Sequence, residues 1–555
     1  MQMTVVEAVE SALPGAFDYG DGLVTFALYA PGKQSVELIV APHGQSVEIH
    51  QMDDRGGGFW VTPMNLPKGK CEYRFRLDHE TVIADPYAQE IRRVRDDDVP
   101  WAVVDAGRGI YMWRNEDWRR PNFRDLIVYE LHVGDFSPEG NFAGVRKRLD
   151  YLRDLGVNAI EFMPLYESSP DDYWGYKPTY FMAVRSSYGS LMDMIELVDE
   201  CHAREIGVVM DMVLAHTGDD HPFNAMYPYK QSPWYGKGLG EPNQFGLPML
   251  DFSKDATNSF VRDVQAYWMH VAHVDGFRYD YLAGIGAADG QKGLPYLMRT
   301  AREIRPESYL IGECIPEDPE LVNNSGLGGV WHTRSRLAMS ALLAETQFQP
   351  YDWNDFDKCI HAFDPATQDY DQASFMVNYI ECHDDERIIK LLLERGFDCQ
   401  TALRKSALAA TLLMTMPGEP MLYHGQEMGE DSEKILGPNK LRWDRLDSPE
   451  GAGLADHYKR MCRLRNSKTS LRERNIRVAL VDAQAKCAVI HRWWGQADQV
   501  VIAVNFSNRP RRLSAPVSQR GRWHELDTGE ITEIKDAVET TIEAYSARIF
   551  IIGVS

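Results

Sequence analysis

Cysteine is scarce in this 555-residue chain, and none of it is arranged in a pattern. The eight positions, Cys71, Cys201, Cys314, Cys359, Cys382, Cys399, Cys462 and Cys487, include no C-x-x-C and no dense framework. That excludes a disulfide-stapled scaffold and a cysteine-based zinc site, and reads as free, mostly buried thiols in a reducing compartment. Long apolar runs are missing too. The longest, SALAATLLMTM at 406–416, is too short to span a bilayer. The opening MQMTVVEAVESALPGAFDYG has neither a basic nor an apolar leader region. Positive charge is in deficit: 59 basic against 82 acidic residues leave a net charge of −23. A field of that sign repels nucleic acid and anionic membranes, and a neutral ligand is indifferent to it. The expectation is a cytoplasmic protein with no nucleic-acid and no membrane partner.

The remaining composition, 44% hydrophobic and 25% charged, is that of a globular protein with a large core. Residues 1–105 alternate apolar and polar positions in short runs such as GLVTFALYAP, SVELIVA, GGFWVTPM and CEYRFRLD, bounded by Gly, Pro and Asp. That is β-sandwich grammar. From about 126, strand-like runs alternate with amphipathic helical stretches, which implies a parallel sheet, doubly wound or closed. Strands are expected at 126–133, 158–163, 207–213, 274–280, 309–313, 328–332, 375–381 and 420–424, and eight of them favour a barrel. Some forty extra residues at 217–254 form an excursion over its mouth. After about 465 the pattern returns to β. The fold expected is α/β, a (β/α)8 TIM barrel flanked by an N-terminal and a C-terminal antiparallel β-sandwich, divided as 1–110, 111–465 and 466–555.

In such a barrel the chemistry collects at the C-terminal ends of the strands. Those ends carry Asp211 and His216, Arg278 and Asp280, Glu313, and His383 with Asp384. In GFRYD, Arg278 and Asp280 share one face of a strand and Phe277 and Tyr279 the other. The expectation is that Arg278 keeps Asp280 ionised and lowers its pKa, while Glu313, facing that charge, is raised and protonated. Two carboxyls with opposed protonation form the core of a glycosidase, and a separation of about 5–5.5 Å would mean retention.

DMVLAH (211–216), GFRYD (276–280), IGE (311–313), CHD (382–384), PMLDF (248–252) and PGEPMLYHGQEMG (417–429) occur in the order and spacing of the α-amylase superfamily, glycoside hydrolase family 13, which the chain resembles over nearly its whole length. LYAP, GGFW, YRFRL and ADPYAQ resemble the starch-associated module (family 48 type) that precedes branching enzymes, isoamylases, pullulanases and trehalohydrolases. The resemblance implies Asp280 as nucleophile, Glu313 as general acid/base and Asp384 as stabiliser of the transition state. Arg278, His216 and His383 match residues lining the subsite of the reacting sugar, and Tyr176 matches its aromatic platform. Asp211 stands with them as a substrate contact or as a brace of the barrel mouth. The implied substrate is an α-glucan or malto-oligosaccharide.

Several positions depart from that family's pattern. Ala215 stands where an asparagine calcium ligand is usual, which speaks against that calcium site, and no cofactor is expected. Cys382 replaces a common Asn, Lys177 a frequent Asp, and Gly284 a histidine that reaches toward the leaving sugar. These changes touch specificity and leave the three carboxylates in place. The expected function is a retaining glycoside hydrolase acting on α-glucosidic bonds. YELHVGDFSPEGNF looks most like trehalohydrolases acting on maltooligosyl-trehalose, and DYWGYKPTYF resembles isoamylases and pullulanases. An α-1,4-glucan branching transferase is an alternative that differs in its acceptor. A catalytically dead glucan-binding protein would have lost a carboxylate. A metal-dependent hydrolase using His216 and His383 would need a ligand cluster, and no HxH is present. Among the remaining side chains, His132 is expected as a satisfied core histidine, Trp60 and Phe59 as core, and at least one of Trp493 and Trp494 as core.

Overall fold

The computed structural model describes residues 13–18, 22–42, 46–95, 97–109, 111–236, 242–287 and 290–553. Most of the opening twenty residues read for a leader, and positions 237–241 of the excursion, lie outside them.

The N-terminal alternation builds two antiparallel sheets. One pairs Gly15–Asp18, Leu23–Tyr29, Phe59–Asn65 and Asp53–Asp54; the other is built on Val36–Pro42, Gly69–Leu77 and Trp101–Ala106. Their inward faces (Phe26, Leu38, Tyr73, Phe75) are buried together. Trp60 joins that core, but Phe59 does not. It is 37% exposed and packs its ring on Tyr29, 5.0 Å between centroids. Adjacent strand positions face opposite ways, so only one of the two could enter the core.

The central region closes as an eight-stranded parallel barrel. Its strands are β1 (Val128–Leu131), β2 (Ala159–Phe162), β3 (Gly207–Met212), β4 (Gly276–Tyr279), β5 (Tyr309–Gly312), β6 (Gly329–Trp331), β7 (Met376–Tyr379) and β8 (Glu419–Tyr423). Each of the eight expected ranges contains or overlaps one of them. Closure is by β1 pairing β8, Val128 opposite Met421. Val128, Ala159, Val209, Ile311, Trp331, Val377 and Met421 form one buried apolar cluster, and the alternate residues Phe277 and Tyr279 join the main core. Local chemistry sets the helix ends. Ser190 and Asp193 make a reciprocal capping box on Leu191–His202. Gly156, left-handed at φ 102°, ends Leu149–Leu155.

The loop read between β2 and the helix at Leu191 contains a two-stranded antiparallel sheet, Tyr166–Ser168 with Pro178–Val184. Its strands are buried throughout, so period-two alternation was absent from the sequence there. The excursion after β3 is anchored at both ends: His216 bridges to Met249, and Leu250 N–H donates to Ala215 O at 3.0 Å. Beyond the barrel, six strands order around Cys487–Trp494, Asp498–Asn505 and Ser546–Ile552, with a separate pair Arg511–Pro516 and Ala537–Ile542. Trp493 and Trp494 are not core: the first is half-buried and the second 51% exposed. They sit at the hairpin end of their strand, past its buried stretch.

His132 is buried and satisfied, its ring nitrogens 2.8 Å from Asp135 Oδ2 and from Tyr188 Oη. All eight cysteines are unpaired, seven of them buried and Cys399 exposed. No helix among the described residues is long and apolar enough to cross a membrane.

Candidate active site

The strand ends of β3, β4 and β5 bring four charged side chains together. Parallel pairing sets Asp211 beside Arg278 in register, and Arg278 beside Ile311, two residues before Glu313. Arg278 is fully buried, and its guanidinium serves three carboxylates at once: Asp211 at 2.8 Å, Asp280 at 3.0 Å and Glu313 at 3.2 Å. The Trp331 ring lies 4.2 Å from the guanidinium carbon and closes off its remaining face. Gly276 begins β4 because a Cβ there would lie 1.9 Å from Tyr309 O. That close approach of backbones sets the β4–β5 spacing, and with it the convergence of Asp280 and Glu313.

Sharing one cation among three anions reverses an expectation. Asp280 is pushed well above the ordinary carboxylate range, first by burial and next by the Glu313 carboxyl, with Arg278 pulling the other way. Asp211 is raised as well, by burial, against Arg278 and the Tyr176 hydroxyl. With its one positive charge divided among three carboxylates, Arg278 does not offset the burial of Asp280 and Asp211.

Asp384 differs. Its side chain is 52% exposed, against 14% for Asp280 and 12% for Glu313. It is held below the ordinary range by the His383 charge, by its hydrogen bond to that ring, and by Lys434 and Arg278. Lys434 Nζ stands 3.6 Å from Asp384 Oδ1, donates to the Asp384 carbonyl, and lies over the Trp174 ring. Behind His383 stands Glu130 of β1, 2.5 Å from its Nδ1. Burial opposes charge on His383, but Asp384 and Glu130 outweigh it and carry the imidazole well above its ordinary range.

The aromatic wall is built from the inserted hairpin. Gly175, at φ 100°, has no room for a Cβ against Pro164, 2.6 Å away. This tight turn presents Trp174 and Tyr176. Tyr176 stacks on His383, 5.1 Å between centroids and 15° between planes, and Trp174 meets the same ring edge-on. Tyr176 Oη donates to Asp211 Oδ2 at 2.6 Å. Asp211 therefore braces Arg278 and Tyr176 from a 2% exposed position. His216 is buried, its Nε2 2.8 Å from Tyr176 O and its Nδ1 3.4 Å from the Asn243 side chain.

All eight residues singled out from the sequence thus meet at one mouth. Glu130, Lys434, Trp174 and Trp331 were missed. Alternation in YELHV places Glu130 and His132 on one face, so Glu130 could have been found; Lys434 sits in an irregular loop and left no signal. Glu161 of β2, opposite Glu130 in register, is buried with neither carboxyl oxygen hydrogen-bonded. Burial and the Glu130 charge raise it well above the ordinary range.

The residues present do not fit a calcium ion at Ala215. That side chain has no oxygen, its carbonyl is taken by Leu250, and no group of three or more His, Cys, Asp or Glu among the described residues could hold a metal.

A family model described as alpha amylase, catalytic domain, matches residues 115–236 and 222–470. Another, described as carbohydrate-binding module 48 (isoamylase N-terminal domain), matches residues 15–88. The chain is similar to a malto-oligosyltrehalose trehalohydrolase of Saccharolobus solfataricus, 28% identical over 444 residues and 74% of each chain. It is also similar to a 1,4-alpha-glucan branching enzyme of Nitrosomonas europaea, 25% identical over 476 residues, 77% of this chain and 63% of that one. The solved GBS pullulanase SAP in complex with maltotetraose superposes with a TM-score of 0.84 at 18% identity, covering 98% of this chain and 88% of that one.

Proposed function

The chain belongs to the α-amylase family of glycosidases, and from that premise we propose that it hydrolyses α-glucosidic bonds of malto-oligosaccharides and related α-glucans with retention of configuration. The observation that carries the reading is the Arg278 fork holding Asp280 at 3.0 Å and Glu313 at 3.2 Å. Retaining enzymes keep their carboxyls about 5–5.5 Å apart and inverting ones roughly 6.5–9.5 Å. Two carboxyls on one guanidinium belong with the first geometry.

In this mechanism a glucosyl ring lies against Tyr176, its anomeric carbon facing Asp280. Glu313, as the general acid, meets the glycosidic oxygen as its hydrogen-bond donor. Asp280 attacks the anomeric carbon, the carbon–oxygen bond to the leaving sugar breaks, and Glu313 gives its proton to the departing oxygen. Negative charge leaves Asp280 as the ester forms, while Glu313 becomes the carboxylate. That carboxylate then takes a proton from water, whose oxygen attacks the anomeric carbon and breaks its bond to Asp280, which leaves as a carboxylate. Asp384, ionised and exposed, accepts hydrogen bonds from the ring hydroxyls, and these strengthen as the ring gains positive charge. The eight unpaired cysteines support a reducing, cytoplasmic setting for this activity.

Names of the relatives divide between a trehalose-releasing hydrolase and a branching transferase, so product analysis is the test. Maltooligosyl-trehalose, maltooligosaccharides, pullulan and amylopectin are incubated separately and the products are chromatographed. New reducing ends or free trehalose are expected, with kcat in Glu313→Gln down about 10²–10⁴-fold. New α-1,6 branches without reducing ends would overturn hydrolysis.

A further inference from the structure

Tyr281 follows Asp280 directly and is left-handed, at φ 48° and ψ 62°. Residues with a Cβ adopt that conformation at a cost, and such strain collects where geometry matters for function. Here it aims a donor: Tyr281 N–H points at Glu313 Oε2, 3.1 Å away. The next residue continues the seam, Leu282 N–H donating to Glu313 O at 2.9 Å. The general acid is thus held by the segment that follows the nucleophile.

The Tyr281 side chain turns over Gly284. A Cβ on Gly284 would fall 2.6 Å from Tyr281 Cδ1, 2.7 Å from its Cε1 and 2.8 Å from Met249 Cε. Glycine is required there because the ring already covers it. Tyr281 packs against the core with one part and stays partly exposed with the rest. Two aromatic residues are thus tied to the site, Tyr176 through His383 and Asp211, and Tyr281 through the Glu313 carboxyl. Tyr176 lies with His383 and Asp384; Tyr281 lies on the Glu313 side. A general acid faces the oxygen of the leaving group, so an aromatic beside it faces the leaving sugar.

We propose that Tyr281 is the platform for the leaving-group sugar, stacking its ring on the apolar face of the first sugar beyond the scissile bond and thereby selecting glycosyl leaving groups. This rests on the glycosidase reading above, and the test separates the two. Wild type, Tyr281→Phe and Tyr281→Ala are compared on a malto-oligosaccharide and on α-maltosyl fluoride, whose fluoride leaving group offers nothing to stack. Circular dichroism checks the fold of each. Expected is a fall of about tenfold in the ratio of kcat/KM on oligosaccharide to kcat/KM on fluoride for Tyr281→Ala, and less than about twofold for Tyr281→Phe, because the ring and not the hydroxyl makes the contact. Equal losses on both substrates, or none on either, would overturn the platform and leave Tyr281 a packing residue. A wild type inactive on both would instead sink the glycosidase reading itself.

Discussion

Glu130 Oε1 lies 2.5 Å from His383 Nδ1, while Nε2 of the same ring faces Asp384 Oδ2 at 3.3 Å. An imidazole between two carboxylates keeps its proton. Burial opposes the charge, but Asp384 and Glu130 outweigh it, and the folded-state pKa rises well above the ordinary value. Stability from such a group is fully present below its unfolded pKa and is lost as pH rises through the folded one. His383 therefore stays cationic across the neutral range and holds Asp384 ionised beside the site.

Glu130→Gln removes one of the two carboxylates, so His383 should lose its proton nearer its unperturbed pKa of about 6.5. We expect kcat to fall about 10–100-fold, the size of a lost charged hydrogen bond. The deficit should widen between about pH 5 and 8. Steady-state kinetics across that range check it, and a pH-independent deficit would contradict the ion-pair role.

Arg278→Met leaves Asp211, Asp280 and Glu313 without their shared cation. The expected loss is about 3–5 kcal/mol at neutral pH. Carboxyls raised in the folded state bind protons that the unfolded chain releases above about pH 4, so the penalty is present at neutral pH and shrinks as pH falls toward that value. Urea melts at acidic and neutral pH measure it. A loss of equal size at both would mean that packing, not charge, dominates.

Glu161→Gln should stabilise the protein at neutral pH. Both carboxyl oxygens of Glu161 lack partners, and burial together with Glu130 raises it well above its ordinary range. The unfolded chain releases this proton above about pH 4.3, so wild type loses about 1.4 kcal/mol per pH unit from there up to the folded pKa. Glutamine has no such slope. Thermal melts should show the variant gaining on wild type as pH rises, and a constant or negative difference in Tm would refute a neutral Glu161.

Excess EDTA should leave Tm and kcat unchanged. In the excursion a lysine ammonium does what a cation could: Lys254 Nζ donates to Ser232 O at 2.6 Å and to Tyr235 O. Lys254→Met should cost about 1–3 kcal/mol. A fall in Tm on chelation, restored by calcium, would contradict the metal-free reading.

Much of the barrel could be read from the chain because its signal is local. Strand runs alternate with amphipathic helices; the faintest of the eight patterns, at 328–332, is the three-residue β6. Phe59 and the Trp493–Trp494 pair were harder, because alternation says which residues share a face but not which face is covered. The buried hairpin carrying Trp174 and Tyr176 had no alternation at all.

Seven of the eight side chains named from the sequence are acids, histidines and an arginine at strand ends, positions that strand periodicity can supply; the eighth, Tyr176, came from the family resemblance of its loop. What those groups do to one another depended on contacts between distant parts of the chain. Glu130 and His383 are 253 residues apart, and Lys434 reaches Asp384 across 50. Arg278 was expected to lower Asp280, and in isolation it would. Parallel pairing of β3, β4 and β5 instead brings two more carboxylates to the same guanidinium, and burial removes the water that would have screened them. Sequence determined which charges reach the mouth of the barrel; only tertiary structure decided how one positive charge is divided among three negative ones, because electrostatic energy depends on distances and solvent exclusion that folding alone creates.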